Sequence, residues 1–212
     1  MSGEDPVADQ EAVLAEARRS LGDEHPTTLT AMLDLAELWW AQGRLISARK
    51  LEEQVVAGRR RLLGGGHADT LKATGKLAVT MAAQGELSPA RRLQEEVVAG
   101  MRALAGDTGR DTLRAINNLA GTVAAQGDLA AAREMLQSVI ATMAGELGDE
   151  DIDTLAALGN LAGILWQEGD WGEAWELQRE VAESYRRTLG EDAPATATAA
   201  AIQRSMERQS EL

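Results

Sequence analysis

The feature that most constrains the fold of this chain is a repeat of 42 residues. Three dipeptides of one unit recur at this interval in the next three units, with a single Gln-to-Glu exchange in the last copy: Thr28-Leu29, Leu35-Ala36 and Gln42-Gly43. Self-similarity at a period of 20–50 residues is typical of repeat architectures, in which each unit packs mainly on its neighbours. The sequence therefore predicts an array of one supersecondary unit.

Within each unit the pattern is that of a helical hairpin. Apolar residues follow the three- and four-residue spacing of a helix, as shown in the third unit by Leu113, Ile116, Leu119, Ala120 and Val123. The predicted first helices cover about 27–42, 69–84, 111–126 and 153–168. Second helices are predicted to begin at Leu45, Leu87, Leu129 and Trp171. Side-chain oxygens should cap the first helices at Thr27, Asp69, Asp111 and Asp153.

Glycine ends each predicted helix of the four hairpins, and alanines such as Ala36 and Ala48 are expected where the two helices of a hairpin approach closely. The predicted organisation is a tail, a half-repeat helix, four hairpin units and a capping helix with its tail, over 1–8, 9–22, 23–64, 65–106, 107–148, 149–190 and 191–212. The last helix replaces the Leu, Ala and Trp of the first unit with Gln203, Arg204 and Glu207, as a helix facing water requires.

The composition excludes several classes of protein. The chain lacks cysteine, so disulfides and thiolate metal sites are excluded. A net charge of −13 disfavours general nucleic-acid binding, and no apolar run approaches the ~20 residues that span a bilayer. We expect a cytoplasmic protein with no membrane association. From Glu146 to Asp192, 13 acidic residues stand against three arginines, which indicates either a solvated surface or a basic partner.

No motif in the chain supports catalysis. The segment Asp149–Asp153 resembles the start of a calcium loop, but Thr154 and Asn160 stand where that loop needs Gly and Glu. We predict a cap and turn there instead. His25 and His67 share one turn position and should bond the start of the next helix. We therefore predict a protein that is not an enzyme, with no cofactor and no metal site.

Three phrases carry a resemblance to a known family: Gly22–Leu29, Asn117-Asn118-Leu119-Ala120 and Ala125-Gln126-Gly127. They are similar to the tetratricopeptide repeat, in the 42-residue form found in kinesin light chains and many bacterial proteins. The resemblance covers about residues 9–198. It implies an all-α, right-handed α-solenoid of helix-turn-helix hairpins whose first helices line a concave groove, and a role in binding other proteins.

The predicted partner-binding groove consists of first-helix residues that packing does not use. They are Asp34, Glu37, Trp40, Lys72, Lys76, Val79, Arg114, Asn117, Asn118, Asn160, Gly163, Trp166 and Gln167. The resemblance matches Asn118 and Asn160 to an asparagine that binds the backbone of an extended peptide, while Asp34 and Lys76 depart from that pattern. Trp40 and Trp166 are predicted either as apolar anchors or as core residues.

Lys72, Lys76 and Arg114 form a basic strip that favours a carboxylate-bearing partner, unless Asp34 or Glu37 pairs with them. Interior glycines such as Gly75, Gly121, Gly159 and Gly163 should either admit a neighbouring helix or leave room for a ligand. Trp171 and Trp175 are expected to pack the last hairpin.

The leading functional hypothesis is a scaffold that binds a peptide or protein segment, as a monomer or weak homo-oligomer. Two alternatives stay open at this point. One is a self-assembling structural module, and the other is a regulatory sensor that acts with a separate switch protein.

Overall fold

The computed structural model describes residues 5–210, with side chains as far as Gln209. This range contains ten α-helices and no β-strand, so the all-α prediction is confirmed. The helices are α1 Pro6–Leu21, α2 Pro26–Ala41, α3 Leu45–Leu63, α4 Ala68–Ala83, α5 Leu87–Ala105, α6 Arg110–Ala125, α7 Leu129–Glu146, α8 Ile152–Glu168, α9 Trp171–Leu189 and α10 Pro194–Ser210. The first helices begin one residue before their predicted starts, and the second helices begin where predicted.

Contacts divide the chain into two compact units, unit 1 (Met1–Leu104) and unit 2 (Ala105–Leu212). In unit 1, α2 packs on α1 and α3, and α3 packs on α4. In unit 2, each of the helices α6 to α10 packs on the next, and the two first helices α6 and α8 also touch each other. Each unit is therefore built from antiparallel helical hairpins packed in chain order.

Small side chains set the distance between the helices of a hairpin. The recurring alanines, beginning with Ala36 and Ala48, are fully buried in all four hairpins, as predicted. Two glycines that the sequence analysis did not select lie still closer to a neighbour. A Cβ on Gly58 would lie 2.9 Å from the Leu29 side chain, and a Cβ on Gly100 would lie 2.6 Å from that of Leu71. These two positions in unit 1 have no room for a larger residue as they stand.

Every turn is made by a glycine in the left-handed region. Among the described residues, positive φ values between 74° and 97° occur at nine glycines spaced 21 residues apart: Gly22, Gly43, Gly64, Gly85, Gly106, Gly127, Gly148, Gly169 and Gly190. Side chains with a Cβ are strained at such φ values, which explains the recurrence. The predicted helix ends are thereby confirmed.

The N-caps lie two residues earlier than predicted. The caps are His25, His67, Gly109 and Asp151, and not Thr27, Asp69, Asp111 and Asp153. His25 Nδ1 accepts a hydrogen bond from the Thr27 N–H at 3.2 Å, and His67 Nδ1 does the same for Asp69. Asp151 Oδ1 accepts from the Asp153 N–H at 2.9 Å. The predicted roles of the two histidines and of the acidic turn are confirmed.

The helix α1 begins at Pro6, three residues before the predicted half-repeat helix, because Asp5 caps it and proline suits the first helical turn. None of the described helices combines the length and apolar character that crossing a membrane would require.

Candidate partner-binding surface

In unit 1 the predicted groove residues include a charged cluster. The ammonium group of Lys76 on α4 forms an ion pair with the carboxylate of Glu37 on α2, so the predicted alternative of internal pairing is confirmed for Lys76. Partial burial and the nearby Glu37 raise the pKa of Asp34, against the opposing influence of Lys76 and Arg59. Lys72 and Trp40 are exposed, and Val79 is half-buried.

A buried acid lies in the same unit and was missed in the sequence analysis. Glu52 on α3 is 3% exposed, and the Thr80 hydroxyl of α4 donates to its Oε1 at 2.9 Å. Its Oε2 is buried without a hydrogen-bond partner among the described residues. Burial raises the pKa of Glu52, although the Thr80 hydrogen bond and Lys76 oppose this shift.

In unit 2 the predicted basic residue Arg114 belongs to a network of ion pairs. Arg114 Nε lies 3.2 Å from Asp153 Oδ1, and Arg110 Nε lies 2.6 Å from Asp153 Oδ2. Arg110 also contacts Asp151 at 3.0 Å, and its carboxylate partners raise its pKa further above the usual range. The positive charges of Lys76 and Arg114 are thus each compensated by carboxylates of this chain.

The asparagines of unit 2 divide into buried and exposed positions. Asn117 is buried, and its Oδ1 accepts a hydrogen bond from Asn160 Nδ2 at 2.9 Å. This bond joins α6 to α8. Asn118 and Asn160, 42 residues apart, are exposed. An amide offers both a donor and an acceptor, so these side chains suit the hydrogen bonds of a main chain.

Glycines beside these amides leave open space. A Cβ built on Gly121 or Gly163 would meet no atom within 4 Å outside its own helix turn, so neither glycine is needed for helix packing. By contrast, a Cβ on Gly75 or Gly159 would make ordinary contacts with Val97 or Val181 at 3.8 Å and 3.9 Å. The exposed Gln167 amide donates to the Gly163 carbonyl at 3.2 Å, one turn further along α8.

Two tryptophans meet at the tip of the last hairpin. The ring centroids of Trp166 and Trp171 are 6.3 Å apart with an interplanar angle of 43°. Trp171 remains 59% exposed, and its contact with Trp166 of α8 places it on the last hairpin, as expected, at the surface of the hairpin and not in its core. Trp175 is half-buried, with the Arg179 guanidinium 5.5 Å from its ring centroid.

In each unit a direct polar contact joins predicted site residues of two first helices. Unit 1 joins Glu37 to Lys76, and unit 2 joins Asn117 to Asn160. Over the described range, no group of three or more His, Asp or Glu side chains is arranged to hold a metal ion. The surface as described offers hydrogen bonds and apolar contacts to a ligand.

Comparison with known proteins fits these hairpins to one family. A tetratricopeptide repeat model matches residues 28–69, 70–111, 112–153 and 154–195. The chain belongs to the tetratricopeptide repeat family. Among curated proteins, none matches the chain.

Solved structures agree with this assignment. One crystal structure shows TPR-like repeats of the kinesin-light-chain type from Podosopora anserina, which are nearly identical to one another. It has 31% sequence identity to this chain, the match covers 86% of each chain, and the TM-score is 0.66. A second crystal structure of the same repeats gives 31% identity, 86% and 87% coverage and a TM-score of 0.64. BtubC (BKLC) from P. vanneervenii, at 16% identity, shares the fold with a TM-score of 0.67 over 95% of this chain and 85% of its own.

Proposed function

We propose that this tetratricopeptide repeat protein is a non-enzymatic scaffold that binds an extended segment of another protein on the first helices of unit 2. The observation that carries the proposal is the pairing of exposed amides with open glycines. Asn118 and Asn160 are 42 residues apart, and Gly121 and Gly163 follow them one helical turn later. A main chain can approach glycine closely, which brings its N–H and C=O groups within reach of the amides.

The glycines support a binding role because they cost stability without serving packing. A glycine in a helix interior destabilises by roughly 0.5–1 kcal/mol relative to alanine. At Gly121 and Gly163 no neighbouring side chain would obstruct a Cβ. A ligand that occupies this space is a physical reason for keeping glycine at both positions.

The basic side chains near this surface are already paired with carboxylates of this chain, which favours recognition of the partner through uncharged groups. Arg114 and Arg110 already contact Asp151 and Asp153, and in unit 1 Lys76 contacts Glu37. A carboxylate-bearing partner would have to displace one of these internal carboxylates and would gain little beyond the exchange. We therefore assign the main contribution to backbone hydrogen bonds and treat acidic side chains in the partner as secondary.

The test uses the full chain as bait for a display library of random peptides about 12 residues long, a length well matched to an extended segment crossing a groove. Selected peptides are then measured against the Asn118→Ala/Asn160→Ala variant. We expect the double variant to weaken binding at least tenfold, because each lost hydrogen bond contributes about 1 kcal/mol and leaves a peptide group unpaired. Unchanged affinity would refute the role of unit 2.

A matched pair of glycine substitutions separates filling the space from changing the helix. Gly163→Gln introduces a helix-forming, uncharged side chain on α8 beside the amides. Gly145→Gln makes the same change on α7, where a Cβ would also meet nothing within 4 Å. We expect the first variant to lose peptide binding and the second to keep it, while both retain helical content by circular dichroism.

A further inference from the structure

One position of the second helices is a polar junction with the next first helix. This position recurs every 42 residues and is occupied by Gln10, Glu52, Gln94, Leu136 and Gln178. In unit 1 the Gln10 Nε2 donates to the Ala31 carbonyl at 3.2 Å. In unit 2 the Gln178 Nε2 donates to the Ala199 carbonyl at 3.0 Å. Each acceptor lies 21 residues after its glutamine, so the same amide contact joins a second helix to its successor in both units.

Glu52 occupies this position without the donor that glutamine supplies. An ionised carboxylate only accepts hydrogen bonds, whereas a protonated one has a donor and an acceptor, as glutamine has. The residue 21 positions later is Ala73 on α4. One oxygen of Glu52 accepts from Thr80 at 2.9 Å, and the other is buried and unpaired among the described residues. A proton on that second oxygen would give Glu52 both a hydrogen-bond donor and an acceptor, as glutamine has.

The charged groups around Glu52 come from all three helices of its surroundings. Lys76 on α4 favours the ionised form, while Glu37 on α2 and Glu53 on α3 itself favour the protonated form. The ammonium group of Lys76 is also paired with Glu37. Burial is the largest influence, and it disfavours the charge of a carboxylate that is 3% exposed. The pKa of Glu52 is raised as a result.

We propose that Glu52 is a proton-operated junction between α3 and α4, which stabilises unit 1 when protonated and weakens the junction when ionised. Because the acid binds its proton more tightly in the folded chain, its stabilising contribution is complete below the unfolded pKa of about 4.3. That contribution is lost as the pH rises through the folded value. The junction is independent of the proposed peptide surface, which lies in unit 2.

The first experiment compares the melting temperature of the full chain with that of Glu52→Gln between pH 4.5 and pH 8.5. The variant carries the donor at every pH, and the other titrating groups are common to both proteins and largely cancel in the difference. We expect the two melting temperatures to agree near pH 4.5 and the variant to be higher by about 2–4 °C at pH 8.5. A difference that does not change with pH would overturn the proposal.

A direct measurement and a graft complete the test. Carbon-13 NMR of the labelled glutamate carboxyls should show one resonance, absent in Glu52→Gln, that titrates above the ordinary glutamate range. Titration at or below that range would overturn the proposal. Thr80→Val should move this midpoint upward, because it removes a hydrogen bond to the ionised form.

In the Glu52→Gln background, Gln178→Glu should transfer the pH-dependent melting difference to unit 2, because it removes the donor to the Ala199 carbonyl. A graft that lowers the melting temperature equally at pH 4.5 and pH 8.5 would count against proton control of this position.

Discussion

The two units follow the same 42-residue plan but differ on the face of their first helices. At one shared position unit 1 has Glu37 and Val79, while unit 2 has Gly121 and Gly163. Unit 1 fills that face with an ion pair, whereas unit 2 leaves space beside exposed amides. The plan therefore fixes the residues that pack and leaves the solvent-facing positions free to diverge into different surfaces.

The charge of the two units differs as well. Unit 1 has 15 acidic and 13 basic residues, a net charge of −2, and unit 2 has 19 and 8, a net charge of −11. Most of the net negative charge of the chain therefore belongs to unit 2, because basic residues nearly balance the acidic ones in unit 1. Its first-helix face nevertheless carries neutral amides, so the excess lies mainly on other surfaces, such as the exposed Glu173, Glu176 and Glu180 of α9.

The largest expected effect comes from placing a glutamate in unit 2 at the position that Glu52 occupies in unit 1. Leu136 fills that position in unit 2 and is fully buried, and Ile164 stands where unit 1 has Thr80. We expect Leu136→Glu to lower the free energy of unfolding by about 3–5 kcal/mol at pH 7, because the carboxylate would be buried without a donor.

The reciprocal change is the control. The double variant Glu52→Leu/Thr80→Ile gives unit 1 the apolar pair of unit 2, and it should leave stability unchanged or raise it by about 1 kcal/mol. Urea denaturation measures both variants. The two units would prove equivalent at this junction if Leu136→Glu cost no more than a surface substitution.

A second contrast concerns the threonines that open the first helices. In unit 2 the Thr154 hydroxyl donates to the Gly148 carbonyl at 2.9 Å. In unit 1 the hydroxyl of Thr70, at the same position, is buried without a partner among the described residues. Thr154→Val should therefore cost about 1 kcal/mol of unfolding free energy, while Thr70→Val should cost nothing or stabilise. Equal losses in urea titrations would show that Thr70 has a hydrogen-bond partner in solution.

A third contrast tests where glycine is required. Gly121→Ala and Gly163→Ala should each raise the free energy of unfolding by about 0.5–1 kcal/mol, because their Cβ atoms enter open space. Gly100→Ala in unit 1 should gain less or destabilise, because its Cβ would lie 2.6 Å from the Leu71 side chain. Thermal melts of the three variants decide the matter; a gain at Gly100 equal to that at Gly163 would mean that Leu71 moves aside freely.

The smallest expected effect is that of the ion pair on unit 1. The side chains of Lys76 and Glu37 are 40% and 54% exposed to solvent, so Glu37→Gln should change the free energy of unfolding by less than about 0.5 kcal/mol. The change should vanish in 1 M salt, where surface charges are screened. A larger effect that persists at high salt would indicate that the ion pair contributes more to the stability of unit 1 than a solvent-screened pair does.

The helix positions could be predicted well from the sequence because each position of the unit occurs in four copies that can be compared. Gly43 and its equivalents fixed the turns, and the in-phase alanines fixed the packed faces. The caps were misplaced by two residues because Thr27 and the three aspartates offer oxygens, whereas the actual caps at His25 and His67 act through a ring nitrogen. Comparing the turn with Asp151 in the last unit would have suggested the earlier position.

The candidate site was less predictable, for reasons that differ from residue to residue. The bond between Asn117 and Asn160 joins residues 43 positions apart, so no comparison at the period of 42 would find it. The close approach of Gly100 to Leu71 depends on how two helices pack, which sequence does not give. Glu52 could have been found, because the same position holds glutamine in three other places.

The regular spacing of the turn glycines has a consequence for how the gene can change. Because glycines recur every 21 residues, helix and turn together have one constant length throughout the described chain. An insertion of one residue within a helix would rotate every later side chain of that helix by about 100° about its axis and bring polar residues into the core. Duplication or loss of a whole 42-residue unit keeps all faces aligned, so unequal recombination can lengthen or shorten such a gene where small insertions and deletions would be eliminated.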